Sequence, residues 1–218
     1  MADIRQSTAF LDDFNRADEN PLSGGGNWAQ TDTALGPAMR LLTNKATSPS
    51  GQTISSSYWV PLALDGDDAE AWGHPVNGGA NGIAWGLGLF KDLGGSSLVD
   101  GYRFRIDVSS SGGFYTLGRY DNGVRTAIQA NVAGAPTGGT GLLLIRRNGN
   151  DVEGWQAANT DGSDFTLRIS GTDTTYTTGL HPALSISDNS GGSILQWDWF
   201  GGGPAEEFVP QIYRRVYG

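Results

Sequence analysis

The sequence predicts an all-β fold, and three observations carry that expectation. Apolar and polar residues alternate with period two in several runs, glycines cluster in pairs and triples between those runs, and no segment shows a helical stripe. The 218 residues fit a single sandwich, because folds of this class reach that size around one core. With 38% hydrophobic and only 17% charged residues, the chain has enough apolar material to bury and too little charge to stay unfolded by self-repulsion. Its 34 glycines lack a Gly-X-Y period and therefore read as turns between many short strands.

Taken in order, residues 8–14, 28–33, 39–42, 52–59, 69–72 and 83–90 are strand candidates, each bounded by turn-forming residues. The alternation is clearest at 102–108, where Tyr102, Phe104, Ile106 and Val108 face a core and Arg103, Arg105 and Asp107 face solvent. Residues 114–120 follow across a Ser/Gly turn, and Asp121-Asn122-Gly123 turns the chain into 124–128, which makes an antiparallel meander. Residues 142–145 and 152–156 flank Asn148-Gly149-Asn150 as a further hairpin. Strands at 165–169, 183–187 and 194–200 complete the set. In the last of these, Leu195, Trp197 and Trp199 alternate with Gln196 and Asp198, so all three large side chains are expected in the core, on a closing strand that pairs with an early one. Gly201-Gly202-Gly203-Pro204 ends the sandwich. The expected division is a domain over 1–203 and a tail over 204–218.

A formal charge of −9 argues against nucleic acid as a partner, since affinity for phosphate backbones comes largely from Lys and Arg. No apolar run approaches the ~20 residues that span a bilayer, and the opening MADIRQSTAF lacks the basic and apolar regions of a signal peptide. The expectation is a product that is neither exported by that route nor inserted in a membrane. With no cysteine, there are no disulfides, thiolate zinc sites or thiol nucleophiles.

The stretch Asp12-Asp13-Phe14-Asn15-Arg16-Ala17-Asp18, with Trp28 downstream, resembles the opening of concanavalin A-like or laminin G-like modules. The block Gly101-Tyr102-Arg103-Phe104, the segment Tyr120-Asp121-Asn122-Gly123 and the late Trp197-Asp198-Trp199-Phe200 match that family's middle and closing strands. The resemblance covers about residues 8–203. It implies a two-sheet antiparallel jelly roll, a glycan-binding or assembly role, and a calcium ion as candidate cofactor. Modules of this kind are common in bacteriophage tail and other virion proteins. The resemblance therefore implies a non-enzymatic virion protein, either a minor tail or tail-tip component or a capsid decoration protein. It would be made in the host cytoplasm and displayed on the particle, with other virion proteins, further copies of itself and cell-surface glycan as partners. A free carbohydrate-binding protein is the alternative, and a glycoside hydrolase the third class.

Hydrolysis of glycosides requires two carboxylates flanking the scissile bond, and the Glu-x-Asp-x-x-Glu strand motif of the family's enzymes is absent. His74 and His181 each precede proline, where a conformational role is the simpler account. Asp65, Asp67 and Asp68 cluster hard oxygen donors on a glycine-containing turn and are the calcium candidates; Asp12, Asp13 and Asp18 are a weaker set whose plainer reading is hydrogen bonding to backbone amides. Sugars stack on aromatic rings, and Trp72 and Trp85 flank a Gly/Asn-rich stretch that also holds His74 and Asn77. These four residues are the glycan candidates, against a core reading for any one tryptophan. The tail concentrates apolar side chains with Tyr and Arg. It offers Phe208, Ile212, Tyr213, Arg214 and Tyr217 as partner-docking residues, against the plainer alternative of an edge strand on its own domain.

Overall fold

The structure is a computed structural model, and it describes residues 10–31, 36–49, 54–65, 68–76, 83–91, 99–108, 112–135, 141–188 and 195–205. Fifteen strands and one short 3₁₀ turn make up the regular structure of these residues. The strands are β1 (Phe10–Asp12), β2 (Trp28–Gln30), β3 (Arg40–Leu42), β4 (Lys45–Thr47), β5 (Ile54–Trp59), β6 (Asp68–Val76), β7 (Ile83–Lys91), β8 (Gly101–Val108), β9 (Gly113–Asp121), β10 (Val124–Ala135), β11 (Leu143–Asn148), β12 (Asp151–Gln156), β13 (Thr166–Thr172), β14 (Leu180–Asp188) and β15 (Gln196–Gly203).

They form two antiparallel sheets. The first runs β13-β12-β11-β6-β15-β4-β3, with β1 also paired to β15; the second runs β10-β9-β8-β7-β14-β5-β2. The meander β8-β9-β10 and the hairpin β11-β12 pair as the turn residues predict. The closing strand β15 pairs with the early strands β1 and β4 on one edge and with β6 on the other. Between the sheets lies a continuous core that includes Phe14, Trp28, Trp85, Leu87, Tyr102, Phe104, Leu117, Leu143, Ile145, Leu184, Ile186, Trp197 and Phe200. Close burial of so many large side chains is the main stabilising term.

Three local outcomes differ from the sequence expectation. Pairing of β15 with β6 shifts register between Trp197 and Phe200, so Trp197 and Phe200 both enter the core while Trp199 turns to the outer face. Strand β10 is twelve residues long and exposed along most of its length, so no apolar alternation marked its second half. Strand β4 is three residues long, too short to show a pattern.

The motif that carried the family resemblance is a structural knot. Asp12 Oδ1 accepts from the Phe14 backbone amide at 2.7 Å and from Arg16 at 2.6 Å, and Asp12 Oδ2 accepts from the Trp28 indole at 2.7 Å. Asp13 accepts from the Asn15 amide and Asp18 from the Thr43 amide. These acids tie turns together, as the plainer reading of the opening acids held.

Candidate functional site

Because Tyr102, Phe104, Ile106 and Val108 enter the core, the pleat sends Arg103, Arg105 and Asp107 to the outer face of the second sheet. Cross-strand register then builds two adjacent rows on that face. One row runs Ser56, Ser185, Gly86, Arg105, Thr116; the next runs Tyr58, Ala183, Gly88, Arg103, Gly118, Ala127. The floor is therefore glycine and alanine where the neighbouring strands carry hydrogen-bonding and charged side chains. At one end of it, Tyr58, Phe90, Tyr120 and Ala183 pack with Val99 as a small aromatic cluster, and His181 lies edge-on to Tyr58.

Arg103 is expected in solvent from the alternation, yet it is only 4% exposed. Its Nη1 donates to the Tyr120 hydroxyl at 3.4 Å, and among the described residues neither Nε nor Nη2 has a hydrogen-bond partner. Burial pushes the guanidinium pKa below its ordinary value, with the Tyr120 hydroxyl acting in the opposite direction. Asp107, on the same strand, is held by Arg105 in an ion pair and also accepts from Thr116 at 3.4 Å. A Cβ placed on Gly86 would lie 2.4 Å from Ser185 Oγ and 2.8 Å from Arg103 Nε. Both groups therefore close over that glycine. Gly118 is covered in the same way by the flexible side chain of Arg125. None of Arg103, Gly86, Gly88, Gly118 or Arg125 stands out in the sequence as a site residue. The signal that marks them is the spacing Gly86-x-Gly88 on one strand opposite Arg103-x-Arg105 on the next.

Of the residues expected to bind glycan, Trp72 and His74 share the outer face of the first sheet and both pack on Trp199, whereas Trp85 lies apart from them. Trp72 and Trp85 are each only 1% exposed, so neither offers a ring face to a ligand. Trp85 belongs to the core between the sheets, whereas Trp72 lies on the outer face of the first sheet beneath Phe10, Trp199, Leu142, Leu144 and Phe165. His74 stacks near Trp199 and stands 3.4 Å from Asp198 Oδ2; burial pushes its pKa down, opposed by Asp198. Asn77 lies outside the described residues, as do Asp67 and the docking candidates Phe208, Ile212, Tyr213, Arg214 and Tyr217.

Of the calcium candidates, Asp65 Oδ1 accepts the Gly179 backbone amide at 2.9 Å, and Asp68 opens β6 opposite Asn148. Among the described residues no three His, Asp or Glu side chains gather as a metal site. Glu70, the one glutamate beside that turn, is fully buried and paired with Arg146 Nε at 3.0 Å.

The fold is similar to that of solved lectin domains. The VIP36 exoplasmic/lumenal domain, in a form bound to calcium and mannose, superposes with a TM-score of 0.62 at 13% identity, covering 87% of this chain and 90% of that one. The Emp46p carbohydrate recognition domain, in a potassium-bound form, gives 0.60 at 12% identity over 91% and 97%. The fold is concanavalin A-like. Within it also falls part of a xylan β-1,4-xylosidase from Bacillus halodurans C-125, with a TM-score of 0.59 at 13% identity over 91% of this chain but 40% of the enzyme. At these identities the concanavalin A-like likeness establishes architecture and leaves the ligand to the chemistry of the site. No family model and no curated protein sequence matches the chain.

Proposed function

We propose that this chain is a carbohydrate-binding domain that holds its ligand across the outer face of the second sheet and does not cleave it. The observation that carries the reading is the row of polar side chains on that face, where Arg105, Asp107 and Arg125 reach the surface above a floor of glycine and alanine. Arg125 stands exposed over Gly118, with Arg105 and Asp107 partly exposed on the same face, and these present charged hydrogen-bonding groups to a polyhydroxylated ligand. The shared architecture with mannose-bound VIP36 supports the reading. For non-enzymatic action, the support is that Asp107, on β8 of this face, is tied to Arg105 in an ion pair. Calcium at the 65–68 turn belongs to the same reading, supported by the calcium-bound forms of VIP36; here Asp65 already serves the Gly179 amide.

Screening the purified chain on a glycan array, beside Gly118→Leu, tests the reading. The atoms nearest a Cβ at Gly118 belong to the flexible Arg125 side chain, so the variant is expected to keep its melting temperature and lose its glycan signal. Undiminished binding by a folded Gly118→Leu protein would move the site elsewhere.

A second reading, assembly on a virion or another surface, is favoured by the outer face of the first sheet. There Phe10 is 52% exposed and stacks on Trp199 at 6.0 Å, with Trp155 and Leu167 completing an apolar patch. Sedimentation at rising concentration, with and without Phe10→Ser, reads out any role of that patch in self-association.

A further inference from the structure

We infer that residues 206–218 of the same chain cross the outer face of the first sheet as a strap over its row of aromatic and aliphatic side chains. The inference concerns the apolar patch of the second reading, names its occupant, and stands apart from the carbohydrate site.

Strand register places that row. Phe10 pairs with Gly201, Gly201 with Trp72, Trp72 with Leu144, Leu144 with Trp155 and Trp155 with Leu167, so one line of positions crosses the sheet from β1 to β13. Gly201 puts no side chain in that line. Trp199 bridges the gap, stacked on Phe10 at 6.0 Å and edge-on to Trp72 at 5.8 Å. At the two ends Phe10 is 52% and Leu167 41% exposed, with Trp155 and Trp199 half-buried between them. Apolar groups left in this state favour an apolar cover.

The chain supplies one. Strand β15 carries Trp199 and Gly201 and so belongs to the floor of the patch, and the described residues stop at Ala205, just beyond this strand's end at Gly203. Residues 206–218 follow, among them Phe208, Val209, Ile212, Tyr213, Val216 and Tyr217. From β15 to β13 the row crosses roughly four strand spacings, about 19 Å, whereas a segment of this length reaches about 43 Å when extended. Length therefore allows the crossing. So short a tether holds the tail over the patch at millimolar effective concentration, which favours the chain's own tail over a second copy in dilute solution.

Charge favours the same path. The neighbouring row on this face holds Glu70, Arg146 and Glu153, and the first two are paired with each other. Glu153 accepts from the Trp155 indole and Asp151 from the Thr172 hydroxyl, and neither acid forms an ion pair among the described residues. Once the apolar part of the tail has crossed β6 and β11, Arg214 and Arg215 come to β12, where these two acids lie.

The chain has no cysteine, so Gln211→Cys places a single nitroxide label in the full-length protein. The label is expected to broaden the indole N–H resonances of Trp155 and Trp199. A mixture of labelled chain with isotope-enriched unlabelled chain should show no broadening. In parallel, Phe208→Ser combined with Ile212→Ser should lower the melting temperature by several degrees and raise the fluorescence of an apolar dye several-fold, because the row is uncovered. A tail standing free in solvent would give the opposite dye result, since the variant would only remove exposed apolar groups. Sharp indole resonances in the labelled chain, or a dye signal that does not rise, would overturn the inference. Broadening as strong in the mixture as in the labelled chain would overturn it in favour of a second copy, and none of these outcomes bears on glycan binding at the other sheet.

Discussion

The indole N–H of Trp28 donates to Asp12 Oδ2 at 2.7 Å, joining two residues sixteen positions apart beneath a turn in which Phe14 adopts a positive φ of 55°. Asp12 is buried and also accepts from the Phe14 amide and from Arg16. Asp12→Ala leaves the indole and the amide without acceptors, and is expected to lower stability by about 2–3 kcal/mol. Trp28→Phe should cost less, since it removes donor and ring volume but strands only one acceptor lone pair. Chemical denaturation of the two variants checks that order, and equal losses would mean packing, not hydrogen bonding, sets the cost.

The neighbouring carboxylate of Glu19 gives this knot a pH dependence. Burial alone would raise its pKa, but the Arg16 guanidinium and the Gly24 and Ser23 amides outweigh it and hold the group at about 2 against an ordinary 4.5. A carboxylate depressed by folding stabilises the native state fully above its unfolded pKa, and that contribution fades as pH falls from about 4.5 toward 2. Melting curves should therefore fall across this window, with Glu19→Gln starting lower, by ~1–2 kcal/mol after allowing for solvent screening, and falling less steeply. Parallel acid limbs for the two proteins would refute the assignment.

Asp65 offers a direct comparison of two roles. Its bond to the Gly179 amide sits beside the paired backbone bonds between Leu64 and Leu180, which join the segment before β6 to the start of β14. Asp65→Ala is expected to lower stability by about 1 kcal/mol, by the same amount in chelator and in millimolar calcium. A calcium-induced rise in melting temperature that the variant loses would instead give Asp65 a ligand's role.

The fold was legible because its signals are periodic. Alternation at 102–108 and turn residues at 121–123 and 148–150 each place a strand or hairpin that the structure contains. The site was not, because its distinguishing property is lateral. Arg103 reads as solvent-facing along its own strand, and only pairing with Gly88 and Gly118 shows that its neighbours are too small to hold it in water. Trp199 was lost for another reason, since one irregularity in the β15–β6 register exchanges which aromatic faces the core. Trp72 sits on an outer face and is buried there by other aromatics, which no periodicity reports.

Trp85 allows the glycan-platform expectation to be tested against the core position found for it. The ring is packed among Ile106, Ile186 and the rest of the inter-sheet core, and its indole nitrogen has no hydrogen-bond partner among the described residues. Trp85→Ala should cost about 3–5 kcal/mol, the usual range for deleting a large buried aromatic side chain. Trp85→Phe should cost distinctly less than its loss of ring volume implies, because it also removes a buried donor that contributes a desolvation penalty and no bond. A sugar platform would behave in the opposite way, with both variants keeping their stability and losing glycan affinity. Thermal unfolding and glycan titration on the same two proteins separate the outcomes. A Trp85→Ala protein that melts with the parent and no longer binds sugar would return the ring to the ligand.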